Sequence, residues 1–251
     1  MRNFDDTTLW RISAFDRFRG ETGTSGFAKL DDGATVLPTT LLADLSRMDA
    51  DPHERDALEV LAACVRNRDA ALIYLGHEDL VWPVTVFPAQ MLYHSPRDMA
   101  LASQAGLADL SFIDIEPPGV RVPGHWMHER VASVEQYRSL SDLLWLVALS
   151  GPRSAPLAEI GGTAAYRALK DVAAEGQVLS GALGSAASRL RRETVALRDI
   201  ASWPGMSVER ASRLLNALYL TGGLMMTRTH PAARAEPGMH RGLFGPGRPR
   251  R

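Results

Sequence analysis

Residues 195–231 read VALRDIASWPGMSVERASRLLNALYLTGGLMMTRTHP, and their pattern predicts two short helices joined by a tight turn. In 195–201, apolar residues fall on one side of a helix, and Pro204-Gly205 ends that helix. Gly205 has no Cβ, so it can adopt the left-handed backbone that a tight turn between helices requires. The stretch therefore predicts a helix-turn-helix arrangement.

A second helix is predicted to start after Ser207, whose hydroxyl suits the N-cap position. Glu209 lies in the first turn, where a carboxylate interacts favourably with the helix dipole. Apolar residues then recur at helical spacing at Ala211, Leu214, Leu215 and Leu218. Gly222-Gly223 ends the helix, and the apolar run 224–226 predicts a short strand.

This order of elements resembles the winged helix-turn-helix family. Ala201 matches the small residue of the family's first helix, and Gly205 matches its turn glycine. Ala211 and Leu214 match buried positions of its second helix. The resemblance covers roughly a seventh of the chain. Trp203-Pro204, at the end of the first helix, departs from the family pattern and indicates a longer turn.

The resemblance implies that the second helix is a recognition helix that enters the major groove of DNA. Its outward residues would then be Glu209, Arg210, Ser212, Arg213 and Asn216. The full set of residues predicted to contact DNA is Arg189, Arg191, Arg192, Ser207, Arg210, Ser212, Arg213, Asn216 and Arg228. DNA is therefore the first predicted partner, and the first hypothesis is a non-enzymatic bacterial regulatory protein.

The alternative is a signalling or motility adaptor, because winged helices also serve as dimer and protein-binding surfaces. In that case the module is broadly similar to the helical PATAN-type modules of bacterial signalling and surface-motility regulators. Glu209 favours this alternative, since a carboxylate at the start of a recognition helix repels phosphates. A continuous exposed basic face across 189–192, Arg210 and Arg213 would favour DNA, whereas a buried or apolar face would favour the adaptor.

Charge is distributed unevenly along the chain. From Ala186 to the C-terminus there are 12 arginines and 4 acidic residues, a net charge of +8, whereas the preceding 185 residues carry a net charge of −9. Such an asymmetry indicates either an end that faces a polyanion or a basic end that docks on its own acidic body. Arginine-rich, lysine-poor chains are also typical of GC-rich genomes, so the arginine count alone does not decide.

His125 and His128 form the best candidate for an enzyme site. A spacing of three residues would place both imidazoles on one face of a helix, where they could hold a metal ion. The zinc-protease spacing is absent, however, and no acidic cluster supplies a third ligand. A metal-dependent enzyme is the third hypothesis, and the sequence predicts neither a metal nor another cofactor. The single cysteine, Cys64, excludes an internal disulfide.

The whole chain is predicted to be α+β, with an N-terminal mixed α/β layer domain and a mainly helical C-terminal half that ends in a winged helix. In the N-terminal part, the predicted elements are a helix at 57–65, strands at 71–75, 80–87 and 91–94, a short helix ending near 106, and a strand at 110–115. Pro83 predicts an edge or a bulge in the second of these strands. Further helices are predicted at 136–149, 163–175 and 179–192.

The Pro- and Gly-rich stretch 116–124 predicts a domain boundary. The predicted regions are an α+β sensor or partner-binding domain at 1–118, a helical domain with the winged helix at 119–231, and a disordered basic tail at 232–251. The N-terminus lacks the pattern of a signal peptide, and the longest apolar run is too short to span a bilayer. We therefore expect a cytoplasmic protein that binds no membrane, and a homodimer is left open.

Overall fold

The computed structural model describes residues 9–23, 36–48, 55–104, 106–124, 134–174 and 176–234. Helices and antiparallel sheets are both present, as an α+β fold requires. The helices are α1 (Ile12–Thr22), α2 (Thr39–Arg47), α3 (Ala57–Asn67), α4 (Met99–Ser103), α5 (Leu140–Ser150), α6 (Gly181–Leu190), α7 (Leu197–Ala201) and α8 (Val208–Leu220). The strands are β1 (Trp10–Arg11), β2 (Ala71–His77), β3 (Leu80–Phe87), β4 (Leu92–His94), β5 (Ser111–Glu116), β6 (Tyr137–Ser139), β7 (Ala165–Ala168), β8 (Val195–Ala196) and β9 (Leu224–Thr227).

The larger sheet is antiparallel, in the order β5-β2-β3-β4-β6, with β1 also paired to β3. In its central β2–β3 hairpin, Tyr74 pairs with Pro83. On the other side of β3, β1 pairs with residues 80–81 and β4 pairs with residues 85–87. Pro83 thus lies in the gap between two partner strands, where its missing N–H costs no ladder bond. The edge that Pro83 predicts is therefore confined to the middle of β3, on the side away from β2.

Opposite faces of this sheet are covered by different elements. Ile73 and Leu75 of β2 belong to the main hydrophobic core, which also contains residues of α2, α3 and α5. The alternate residues Leu72 and Tyr74 pack on the other face against Phe15 of α1. Side chains of a strand point alternately to its two faces, so the sheet is buried on both sides.

The smaller sheet has the order β8-β7-β9, and its central strand precedes the helices α6, α7 and α8 in the chain. Helix α8 packs against both α5 and α7. As a result, Leu214 and Leu218 of α8 share one continuous core with Leu143 of α5 and Ile73 of the larger sheet. The N-terminal and C-terminal parts of the chain are therefore packed together through apolar side chains.

Ion pairs reinforce this junction. Arg153, which follows α5, lies 2.8 Å from a carboxylate oxygen of Asp56 and 2.7 Å from one of Glu59, at the start of α3. Arg66, near the end of α3, pairs with Glu159 and also lies 2.9 Å from Asp44 of α2. The loop at 151–160 is thereby tied to α3 at both ends of that helix.

The helix predicted at 163–175 is wrong, and the helix predicted at 136–149 begins only at Leu140. Residues 137–139 form β6, which pairs with β4, so the larger sheet includes residues on both sides of the predicted boundary at 118. Residues 165–168 form β7 rather than part of a helix, and they pair with 195–196 and 224–227. Both segments contain acceptable helix formers, and pairing with strands distant in sequence overrides that local preference. The predicted tail falls almost entirely outside the described residues.

Candidate functional site

The helix pair α7–α8 is joined by the turn that the sequence predicts. Gly205 has a φ of +73°, and a Cβ placed there would lie 2.8 Å from Cβ of Ala182 in α6. Glycine is thus required both by backbone conformation and by close packing. Ser207 caps α8, since its hydroxyl accepts a hydrogen bond from the backbone N–H of Arg210 at 3.1 Å. Ser207 itself is exposed.

Helix α8 is buried along most of its length. Its buried residues are Ala211, Ser212, Leu214, Leu215, Asn216, Ala217, Leu218 and Leu220, eight of thirteen. Only the first turn, residues 208–210, is exposed, while Arg213 and Tyr219 are half-buried. A helix that packs against both α5 and α7 and is buried at most of its positions offers little surface to an external partner.

The prediction that Ser212 and Asn216 face outward is wrong. The hydroxyl of Ser212 donates to the carbonyl of Val208 at 2.7 Å, and the residue is fully buried. Asn216 is also fully buried: its Oδ1 accepts from the N–H of Leu157 at 2.9 Å, and its Nδ2 donates to the carbonyl of Ala155 at 3.0 Å. Both side chains are bonded to backbone groups of the protein and are enclosed, so neither is presented to a base.

Arg213 is used inside the protein as well. Its guanidinium donates to the carbonyl of Leu149 at 2.6 Å, near the C-terminal end of α5, and lies 3.0 Å from Glu209. A cation at that end of a helix interacts favourably with the dipole and with the carbonyls that have no partner in the helix. Only 18% of the Arg213 side chain is exposed. Arg210, by contrast, is exposed and donates back to the carbonyl of Gly205.

The remaining predicted DNA contacts lie around the C-terminal end of α6 and after β9. The guanidinium of Arg189 stacks 4.5 Å from the ring centroid of Trp203 and lies 3.0 Å from Glu193. Arg191 pairs with Asp171. Arg192 is exposed, and Arg228 donates to the carbonyl of Glu159 at 3.4 Å. Three of these four arginines therefore contact the body of the protein.

A groove lies beside α5, and we call it the α5 groove. Its walls come from the first residues of α4, the outer side of α5 and the segment 177–179, and its volume is about 330 Å³. Apolar side chains along it include Trp145, Leu146, Leu149 and Leu179. Val178, at its lip, is 94% exposed, the most exposed of the large apolar side chains in the described part of the chain.

One end of the α5 groove is acidic. Asp98 caps α4 by accepting from the N–H of Ala100 at 2.9 Å, and it lies 3.4 Å from Arg138. Asp142, in the first turn of α5, accepts from the side-chain amide of Gln177 at 2.6 Å. Together with burial, which is the largest cause, the two carboxylates raise the pKa of the Tyr93 phenol to about 12, against the opposite effect of Arg138.

Sequence reasoning missed the α5 groove, although two of its signals were present. Asp142 interrupts the apolar run 140–150, and Val178 follows a glycine and a glutamine in a segment with little helical periodicity. A second, smaller cavity of about 190 Å³ shares Gln177 and Leu179 with the groove and extends to the Asp171–Arg191 pair. The segment 177–179 is thus a ridge with a concave surface on each side.

His125 and His128, the predicted alternative metal ligands, lie outside the described residues. Within the residues that the structure describes, no three histidine, cysteine, aspartate or glutamate side chains are grouped closely enough to hold a metal ion. Across the same ranges, no helix combines the length and the apolar character that crossing a membrane requires.

The chain was compared with protein-family models, curated proteins and solved structures. No protein-family model, no curated protein and no solved structure matches it.

Proposed function

We propose that this chain is a non-catalytic regulatory adaptor that binds a protein partner, and that its helix-turn-helix part is a packing element rather than a reader of DNA. The observation that carries the proposal is the internal use of α8. Ser212, Arg213 and Asn216, three of the five outward positions of the implied recognition helix, bond to residues of the protein itself.

The energetics of exposing α8 support this choice. A recognition helix must enter a groove about 12 Å wide and present side chains along its N-terminal half to base edges. Helix α8 could present Arg213 and Asn216 only after these side chains gave up their bonds to Leu149 and to the 155–157 loop. Leaving a buried polar group without its partner costs about 1–3 kcal/mol, against a typical folding free energy of about 5–15 kcal/mol.

The C-terminal elements nevertheless keep the order of the winged-helix resemblance: a helix pair, then the strand β9, then a loop at 228–230. Arg228, in the position of a wing residue, is directed to the carbonyl of Glu159 in the 151–160 loop. This contact supports a use of the loop in internal packing, in keeping with the adaptor proposal.

The α5 groove is the surface we assign to the partner. It combines an apolar wall with a fully exposed valine and two carboxylates at one end. A protein segment with an apolar side chain next to a cationic one is the chemistry that complements it. Exposed apolar surface rimmed by polar groups is typical of protein–protein contact sites.

Sequence-blind DNA binding is a second candidate function, favoured by the exposure of Arg192 and Arg210. Arginines on a surface can neutralise phosphates without reading bases, and such binding weakens steeply with salt. The two candidates differ in how strongly the protein binds DNA and in whether the groove matters.

A titration of the full-length protein with pooled genomic DNA fragments at two salt concentrations tests the DNA reading. The adaptor proposal expects weak binding with no enriched sequence. Arg210→Ala should weaken it slightly, and Arg213→Ala should lower stability without changing any sequence preference. Enrichment of one sequence motif that is lost in Arg210→Ala would overturn the proposal.

Site-specific photocrosslinking in the cell of origin tests the groove. A photoreactive amino acid at Val178 should yield a discrete crosslinked protein, whereas the same group at Asp16, exposed on α1, should not. Adding Asp142→Lys to the Val178 variant should remove that product, because the substitution reverses the charge at the acidic end. A product that persists in that variant, or that forms equally from position 16, would contradict this assignment.

A further inference from the structure

We propose that the C-terminal segment 235–251 of this chain binds in the α5 groove of its own molecule. The segment lies outside the described residues, and its sequence is AEPGMHRGLFGPGRPRR. It rests on the same groove as the proposed function, but it does not depend on an external partner. The segment matches the groove in apolar side chains and in charge, and it is long enough to reach it.

The apolar match comes from a single pair of side chains. Leu243 and Phe244 are adjacent, and apart from Met239 the rest of the segment is glycine, proline, alanine and polar residues. The α5 groove presents Leu146, Leu149 and the lip residue Val178 without a described partner segment over them. An apolar anchor of one or two side chains, held in a concave apolar surface, is the usual centre of a peptide-binding site.

The charge match is between a cationic segment, with four arginines and one acidic residue, and the acidic end of the groove. Arg241 precedes the Leu243-Phe244 pair, and three arginines follow it at 248, 250 and 251, against the single acid Glu236. At the groove, the carboxylate of Asp142 accepts from the neutral amide of Gln177, so this contact leaves its charge uncompensated. Asp98 shares its charge with Arg138 at 3.4 Å. Two carboxylates opposite a cationic segment provide complementary potentials.

The C-terminal segment is long enough to reach the α5 groove. The described chain ends at Arg234, whose carbonyl accepts a hydrogen bond from Arg198 of α7 at 2.9 Å. Helix α8 packs against both α7 and α5, and packed helix axes are about 8–10 Å apart, so the axes of α5 and α7 lie at most about 20 Å apart where they pack on α8. The ten steps from Arg234 to Phe244 span about 33 Å when extended, which exceeds that separation.

Disulfide trapping in the full-length chain tests the proposal. Ala100→Cys places a thiol on an exposed wall of the groove, and Gly245→Cys places one next to the intact Leu243-Phe244 pair. The matched control combines Gly245→Cys with Ser13→Cys, an exposed position of α1 on the other face of the larger sheet. The native Cys64 is fully buried, and burial raises its pKa to about 12, so it does not compete as a thiolate.

With oxidised glutathione, we expect the Ala100→Cys pair to close within one chain at least about tenfold faster than the Ser13→Cys pair, because effective concentration rises when the two ends are held together. Adding Leu243→Ser with Phe244→Ser should return the rate to that of the control. Adding Asp142→Asn should give an intermediate rate, and circular dichroism should confirm that each variant is folded.

Equal closure rates for the Ala100→Cys and Ser13→Cys pairs would overturn the proposal. So would a disulfide that forms only between two chains, because the segment would then occupy the groove of a second copy. A fast closure that neither the serine substitutions nor Asp142→Asn affects would also overturn it. Since the purified chain is used alone, these outcomes are independent of whether an external protein or DNA is the partner.

Discussion

Helices α8 and α6 are both arginine-bearing helices of the C-terminal part, and they are used in opposite ways. In α8, eight of thirteen residues are buried, and its polar side chains bond to the protein interior. In α6, only Ala186, Ala187 and Leu190 are buried, and Arg189 lies on the surface with its guanidinium stacked over the ring of Trp203. Charge in the sequence therefore does not locate a binding surface, because packing decides which cations reach solvent.

The difference follows from how extensively each helix is packed. Helix α8 packs against both α5 and α7, so its polar positions also fall inside and need internal partners. Asn216 and Arg213 meet this need by bonding to the 155–157 loop and to the end of α5. Helix α6 has fewer packed neighbours, and its serines and its arginine, Arg189, remain at the surface.

The strongest test of this comparison is truncation of the α8 core. Leu214→Ala or Leu218→Ala should lower the free energy of unfolding by about 2–5 kcal/mol, since each leaves a cavity in the core shared with α5. The half-buried Leu183 of α6 is the matched control, and Leu183→Ala should cost distinctly less. Urea denaturation midpoints measure all three, and equal losses would show that the two helices are packed alike.

The turn between α7 and α8 provides the next test. Gly205→Ala imposes a left-handed backbone on alanine, which costs about 1–2 kcal/mol, and adds a Cβ only 2.8 Å from Ala182 of α6. Gly181→Ala separates the two effects, because Gly181 also has a positive φ but has open space around it. We expect Gly205→Ala to lose more stability than Gly181→Ala in thermal unfolding. The reverse order would contradict the close packing of α6 on the turn.

Asn216 and Ser212 test the internal use of polar groups. Asn216→Ala should cost about 1–3 kcal/mol, because the buried N–H of Leu157 loses its acceptor. Ser212→Ala should be within about 0.5 kcal/mol of the parent, since the serine bonds only to the carbonyl of Val208 one turn earlier in the same helix. Chemical denaturation compares the two variants directly. A neutral Asn216→Ala would mean that the helix does not depend on the 155–157 loop.

Local signals predicted the elements of both regions well. The N-cap Ser207, the turn Gly205 and the strand at 224–227 lie where the sequence places them, because capping and left-handed turns depend on a few adjacent residues. The strands at 71–77, 80–87 and 111–116 follow from continuous apolar and β-branched runs. Pro83 also indicates correctly an interruption of pairing along one side of β3.

The arrangement of those elements could not be obtained in this way. A polar residue such as Asn216 at an outward helical position is expected in solvent, and only the position of the 155–157 loop makes it internal. β7 depends on partners about 30 and 60 residues away, and the α5 groove joins segments from α4, α5 and 177–179. These are long-range juxtapositions, which carry no local pattern in a single sequence.

The smallest expected effect separates two arginines of the α6 end, Arg189 and Arg192. Arg189→Ala removes a cation stacked on Trp203 and should cost about 0.5–1 kcal/mol of stability. Arg192 is exposed, so Arg192→Ala should leave stability unchanged within about 0.5 kcal/mol but weaken any sequence-blind DNA binding, with the log–log salt slope falling by about one contact. Thermal unfolding and DNA titration on the same preparations measure both properties. If Arg189→Ala affected only DNA binding and Arg192→Ala only stability, the assignment of Arg189 as a packing cation and Arg192 as a solvent-facing cation would be wrong.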